Sequence, residues 1–321
     1  MKALRVLLTG LSVLLPAAAA AQDFPTKPIR LIVPFPPGGP NDIIARLVGQ
    51  RMSEITKQPV VIDNRGGQAG VLGTDAIAKS TPDGYTIGIV SASALVINPS
   101  MEKVPYDVVK DFAPVTLVVT VPEMLVVASN VPANNMAELV ALARAKPGEL
   151  TYAHTGAGTS QHLAGELFKA MAKVDIRPIA YRGSTALLPD LLAGRVAMGF
   201  TNIVNAAPLV KDGRLRAFAV SSRKRSALVP DLPTLAESGF PGYEAVPWFG
   251  LMAPAGTPQA IIDRLHAETV RALAFPDART ALVNQGLDVI GGTPAEFAAV
   301  IRDETPYWAK VIKEAGIKAS E

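Results

Sequence analysis

Residues 29–62 read IRLIVPFPPGGPNDIIARLVGQRMSEITKQPVVI, and the recurrence of apolar side chains along them decides the fold class. Residues 29–35 are a β-rich run that stops in a Pro/Gly turn. From Asn41 onward Ile43, Ile44, Leu47, Val48, Met52 and Ile55 recur at helical spacing, and Val60, Val61 and Ile62 then read as a short buried strand. Strand, helix, strand in this order is a βαβ unit, the building block of a parallel sheet covered by helices.

The rhythm continues outward from this unit. A helix near residues 73–79 and a strand at 85–90 complete the first third. In the second third, strands at 124–128, 150–153, 177–181, 196–200 and 215–220 alternate with helices. Those helices run through Met136, Leu139, Val140 and Ala143, through Leu163, Leu167 and Met171, and around 187–192 and 203–210. The last third is mostly helical. Thr257-Pro258 reads as an N-cap followed by proline at the first helical position, and Thr293-Pro294-Ala295-Glu296 as a capping box. Pro306 falls inside the last helical stretch, where its missing N–H and its ring predict a kink or a split.

The chain has 321 residues, more than one compact core usually holds, so two domains are expected. No Ser/Gly-rich linker joins them, which makes ordered strands the expected connections. A crossover near 118–127 and a return near 248–252 divide the chain into a discontinuous α/β lobe of residues 22–124 and 248–321 and a second of 125–247. A small ligand would sit in the cleft between them.

Lys2 and Arg5 precede an uncharged apolar stretch, Pro16 and alanines ending at Ala21, the pattern of a secretory signal peptide over residues 1–21 cleaved near Ala21. Its apolar core is short of the roughly 20 residues an anchor helix needs. Removing it takes two basic residues, so the net charge of +3 falls to +1. A soluble, exported, nearly neutral chain is expected, with no nucleic-acid partner and no membrane insertion. The absence of cysteine excludes disulfides, thiolate metal sites, a cysteine nucleophile and a lipoprotein anchor.

Two loops stand where a strand gives way to a helix. The first carries Phe35, Pro37, Gly38 and Gly39 ahead of Asn41 and Asp42. In an open α/β sheet ligands bind beyond the carboxyl ends of strands, where glycines admit an anion to backbone N–H groups and a helix start adds partial positive charge. The alternative is a rigid turn with Asn41 or Asp42 as N-cap. The second loop runs Thr155, Gly156, Ala157, Gly158, Thr159, Ser160 and leads to His162. It lacks the third glycine of a dinucleotide fingerprint and the Gly-Lys-Ser/Thr of a P-loop. Thr159 or Ser160 can equally cap the helix, and His162 can touch ligand, pack or cap. Ser91, Ala92 and Ser93, then Tyr181 and Gly183, then Thr201 and Asn202 follow other strands at the equivalent place and complete the candidate contacts. Arg182 is read as facing solvent.

An enzyme reading finds no nucleophile elbow, no zinc helix and no evident acid–base pair. The histidines, His154, His162 and His266, are too scattered for a metal site. Neither a metal nor a cofactor is expected.

Several stretches, in order, resemble the Bug proteins, the tripartite tricarboxylate transporter substrate-binding proteins of the bacterial periplasm. They are residues 29–42, Asn64-Arg65-Gly66-Gly67, Pro82-Asp83-Gly84-Tyr85-Thr86, Pro105-Tyr106-Asp107 with residues 110–115, residues 161–168, Tyr181-Arg182-Gly183-Ser184 and residues 249–258. The resemblance implies a two-lobed, type II periplasmic binding protein that closes by a hinge on a small carboxylate, aliphatic or aromatic, as a monomer. It implies that residues 35–39 and 155–160 hold the carboxylate through main-chain N–H groups, hydroxyls and waters. Many family members carry an acid where this chain has Thr201, so an acid without an ammonium group is the expected ligand. Pro40 stands where glycine is common, which stiffens the loop and removes a donor. The implied partner is a membrane transporter, and the alternative is an extracytoplasmic sensor kinase.

Overall fold

The structure, a computed structural model, describes residues 24–181 and 184–317; residues 1–23, with the expected signal peptide, Arg182, Gly183 and residues 318–321 lie outside these. From the N-terminal side the chain runs β1 (Ile29–Val33), α1 (Pro40–Thr56), β2 (Val60–Asn64), α2 (Val71–Ala78), β3 (Thr86–Ser91), a π-type turn Ser93–Ile97 continued by α3 (Asn98–Met101), and β4 (Phe112–Thr120). It continues through β5 (Glu123–Ala128), α4 (Met136–Ala145), β6 (Thr151–His154), α5 (Ser160–Ala172), β7 (Arg177–Ala180), α6 (Ser184–Leu192), β8 (Met198–Asn202), α7 (Ile203–Lys211) and β9 (Leu215–Val220). It ends with β10 (Trp248–Pro254), α8 (Gln259–Ala274), α9 (Pro276–Asn284), β11 (Asp288–Val289) and α10 (Pro294–Ala315).

Two sheets result, in the orders β11-β4-β10-β3-β1-β2 and β7-β6-β8-β5-β9. In the first, β1 lies parallel between β2 and β3, and β10 returns antiparallel between β3 and β4. The second repeats the scheme, with β6 parallel between β7 and β8, and β5 antiparallel between β8 and β9. The two-lobed α/β architecture is therefore present, and each lobe contributes an antiparallel strand that begins at the hinge. There Val121 N–H donates to Pro247 O at 2.7 Å, joining the two crossings.

Strands covered on both faces read as continuous apolar runs, and every residue of β5 is buried. Ile44, Val48 and Met52 of α1 are buried against Ile29, Leu31 and Ile87 in the first lobe. Each such side chain contributes about 1.5–3 kcal/mol by leaving water. Ile43 turns instead toward the cleft.

Four local expectations are corrected. The N-cap of α1 is Gly39, with Pro40 at the first helical position, so neither Asn41 nor Asp42 caps it. Thr257 does not cap α8: its hydroxyl turns back to Pro254 O at 2.7 Å, and Pro258 is the cap. Pro306 does not split α10, because Phe297, Ile301, Trp308 and Val311 carry one buried face across it. Glu123 and Met124 belong to the second sheet, since β5 starts at Glu123 and pairs with Asn202. Among the described residues no helix is long and apolar enough to cross a membrane.

Candidate functional site

The carboxyl ends of β1, β3, β6 and β8 converge on a cleft of about 500 Å³ between the sheets, within the range of small-molecule sites. Its walls are largely apolar, with Phe35, Ile43, Val121, Val204, Trp248, Phe249 and Leu287. Of the sequence-derived candidates, Phe35, Pro37, Gly39, Asn41, Ser91, Ala92, Ser93, Thr155, Thr159, Ser160 and Asn202 line it. Among the described residues, Glu123 is the one titratable side chain in the lining, which includes no lysine, arginine or histidine.

Four helix starts face this space: α1 after Gly39, the helical run after Ala92, α5 after Thr159 and α7 after Asn202. The first N–H groups of a helix lack intrahelical acceptors and carry partial positive charge. In α5, Thr159 Oγ1 accepts from His162 N–H and Leu163 N–H reaches Thr159 O, which leaves the amides of Ser160 and Gln161 at the cleft. Ser91 Oγ accepts from Ala94 N–H and Asn202 Oδ1 from Val204 N–H, leaving the amides just before them in the same position. Such an arrangement suits an anion held without a cationic side chain.

The first loop is built on Asp42. Its carboxylate accepts from Gly38 N–H at 2.9 Å, from Arg46 at 2.9 Å and from Asn64 Nδ2 at 3.0 Å. The Arg46 guanidinium holds Asp42 below the usual carboxylate range, with the Gly38 and Asn64 donors assisting against burial. Gly70, at φ +97°, lets the Phe35 ring approach to 2.9 Å of where a Cβ would stand. Gly38 and Asp42 thus shape the loop and do not line the cleft; Gly38 has given its N–H to Asp42.

The second loop is built on two imidazoles. Gly156 N–H donates to His154 Nδ1 at 3.2 Å and Gly158 N–H to His162 Nδ1 at 3.3 Å. The rings stack at 4.5 Å. Burial pushes His162 down to about 4, with stacked His154 adding to the effect, and burial lowers His154 as well. Both stay neutral at neutral pH, as acceptors must. Gly156, Gly158 and His162 are therefore scaffold, and reading their amides as ligand donors is corrected. Gly158, at φ +72°, also brings this loop against Asn98 and Met101 of the other lobe.

Two more candidates stand elsewhere, and a third is not described. The Tyr181 hydroxyl is bonded to Asp190 at 2.8 Å and the residue is outside the lining. Thr201 is fully buried behind the cleft, with Oγ1 unpartnered. Gly183, like Arg182, lies outside the described residues. Asn202 does more than cap α7: its Nδ2 donates to Gln285 O at 3.1 Å, tying the lobes together.

Sequence reasoning missed Glu123. It is 1% exposed at the start of β5 and borders the cleft. Thr155 Oγ1 lies 2.6 Å from Gln161 Oε1, and Gln161 Nε2 donates to Glu123 Oε1 at 2.6 Å. Burial pushes the Glu123 carboxyl up to about 8, against the lowering effect of Gln161. The expectation built on Thr201 loses its premise, because the cleft does hold an acid, on the neighbouring strand. A lone glutamate between two apolar strands was the available signal.

The family described as tripartite tricarboxylate transporter family receptor matches residues 44–317. The chain is 40% identical over 304 residues to protein BugT of Bordetella pertussis, covering 94% of this chain and 93% of that one. A solved structure of R. palustris Rpa4515 with adipate has 37% identity and a TM-score of 0.80, over 93% of this chain and 100% of that one. MatC from Rhodopseudomonas palustris with bound malate has 32% identity and a TM-score of 0.76, over 90% and 100%.

Proposed function

The chain belongs to the tripartite tricarboxylate transporter receptor family, the Bug proteins, and on that footing we propose that it is an exported, periplasmic receptor for a small mono- or dicarboxylate. The acid binds between a lobe of residues 22–122 with 248–321 and a lobe of 123–247, closure about the hinge traps it, and the closed form delivers it to a membrane transporter. The observation that carries this reading is the cleft itself: four helix starts around a largely apolar space with no basic side chain among the described residues. Helix starts favour an anion, and an apolar wall suits a short carbon skeleton. The adipate and malate bound by two relatives agree with that chemistry. Closure needs only that ligand contact both lobes and so bind the closed state more tightly than the open one.

Thermal shift of the purified protein against adipate, malate, succinate and benzoate tests the ligand class. A bound acid at about 100 times its dissociation constant raises stability by roughly 2.7 kcal/mol. No shift with any of them overturns the carboxylate reading. Gly39→Val checks the site, because a Cβ at Gly39 meets nothing closer than Pro36 O at 3.9 Å and φ is −83°. The valine fits the fold but occupies the cleft, so affinity falls at least tenfold while the apo protein stays folded, its melting temperature lowered only by the poorer helix cap. Delivery is tested by uptake of the identified acid in cells lacking this chain: the wild-type chain restores it and Gly39→Val does not.

A further inference from the structure

Glu123 combines features that a merely structural acid would not need. It borders the cleft, its Oε1 is engaged by the Gln161 amide, and its Oε2 is buried with no partner in the protein. A buried oxygen left unpaired carries a desolvation cost that a bound ligand can remove. Among the described residues, the groups packed around it do not supply a cation. Gln161 comes from α5, Ser221 Oγ accepts its N–H, and Asn202 lies opposite on β8. Tyr243, the titratable group seen to interact with it among the described residues, donates its own hydroxyl to Ala164 O and is held neutral by burial.

Resting on the carboxylate reading above, we propose that Glu123 is the specificity-determining residue of the cleft: a carboxylic acid that donates a hydrogen bond from Oε2 to an oxygen of the bound acid and so selects carboxylates over amines. The Thr155–Gln161–Glu123 chain explains which oxygen carries the proton. Gln161 donates to Oε1, so Oε1 is the acceptor of the pair and Oε2 is the donor. An ionised Glu123 would repel a carboxylate in this low-dielectric space, and burial keeps it protonated at neutral pH. Binding that requires the acid form weakens as pH rises past the acid's midpoint, and in that range one proton is taken from solvent per ligand bound.

Isothermal titration of wild type, Glu123→Gln and Glu123→Ala with adipate, malate and L-aspartate, from pH 6 to 9.5 in two buffers of different ionisation enthalpy, tests this. In the wild type a dicarboxylate binds more tightly than L-aspartate. Its affinity is flat at low pH and falls at least tenfold by pH 9.5, with proton uptake in the falling range. Glu123→Gln keeps a donor that cannot titrate: it binds at least fivefold more tightly than Glu123→Ala and shows neither pH dependence nor proton uptake. A second acid, Glu304, is bonded to Trp248 behind the cleft and pushed up to about 7; a pH dependence that survives undiminished in Glu123→Gln assigns the titration to Glu304 and overturns the role given to Glu123. The inference fails alone if dicarboxylates bind the wild type with pH-independent affinity and no proton uptake. It also fails if L-aspartate is preferred and lost in Glu123→Gln, since Glu123 is then a charged acceptor for an ammonium. A wild type that binds none of the three overturns the carboxylate reading as well. The wild-type measurements decide the matter even if a variant does not fold.

Discussion

The two loops that meet across the cleft solve one problem with opposite chemistry. Each must hold a turn of backbone at the tip of a parallel strand, ahead of a helix, in a fixed shape. In the first lobe prolines fix much of the loop and an ionised carboxylate, Asp42, gathers the Gly38 amide. In the second, glycines leave the chain free and two neutral imidazoles gather the amides of Gly156 and Gly158. Asp42 accepts as a carboxylate until it protonates, below 3.8, whereas the imidazoles stop accepting once Nδ1 is protonated, at about 4 for His162. The same geometry is therefore tied to two different protonation events.

The largest effect expected from breaking this contrast is at Asp42. Asp42→Ala leaves the Gly38 amide and the Asn64 side chain without their acceptor, and a loss of about 3 kcal/mol in denaturant unfolding is expected. Acid is the next lever. The folded-state pKa of His162 lies below 6.5, so neutral His162 contributes stability that is complete above pH 6.5 and is lost as pH falls toward about 4. That loss amounts to roughly 3 kcal/mol at most. The burial of Glu123 and Glu304 bends the curve the other way, because their raised values destabilise the fold as pH rises from 4.5 to about 8 and about 7. The imidazole effect is thus read as the difference between wild type and His162→Gln across pH 4–7, and identical slopes would refute it. The smallest effect is at the helix caps. Thr159→Ala removes a side-chain cap from α5 and costs about 1 kcal/mol. Pro40→Ala costs about 0.5 kcal/mol, since α1 is capped by Gly39 with no side-chain bond to lose.

Much of this was readable in one dimension. The 2.0 and 3.6 periods delivered the alternation of strands and helices, and both loops stand at strand ends as their composition indicates. The misreadings concern where amides send their hydrogen bonds. Gly38 and Asp42 are four residues apart, as are Gly158 and His162, so these contacts are local, yet sequence alone does not say whether a glycine amide faces ligand or its own scaffold. Glu123 and Gln161 are 38 residues apart and meet only because β5 is inserted beside β8. No local pattern encodes that pairing. Thr201 failed for a similar reason: alternation along β8 turned it beneath the sheet, and its neighbour Asn202 emerged at the cleft.

Among the described residues the cleft lining has no basic side chain, and this has a kinetic corollary. A lysine projects a monopole field that reaches about 8 Å in physiological salt and draws anions from solution. A helix start is one pole of a dipole whose opposite pole lies within the same lobe, so its field fades within about one turn. The described lining of the cleft therefore does not steer an anion from afar; it discriminates among anions only once they are inside. Capture should accordingly change little in rate between low and high ionic strength, and affinity differences among acids should reside in how long each one stays.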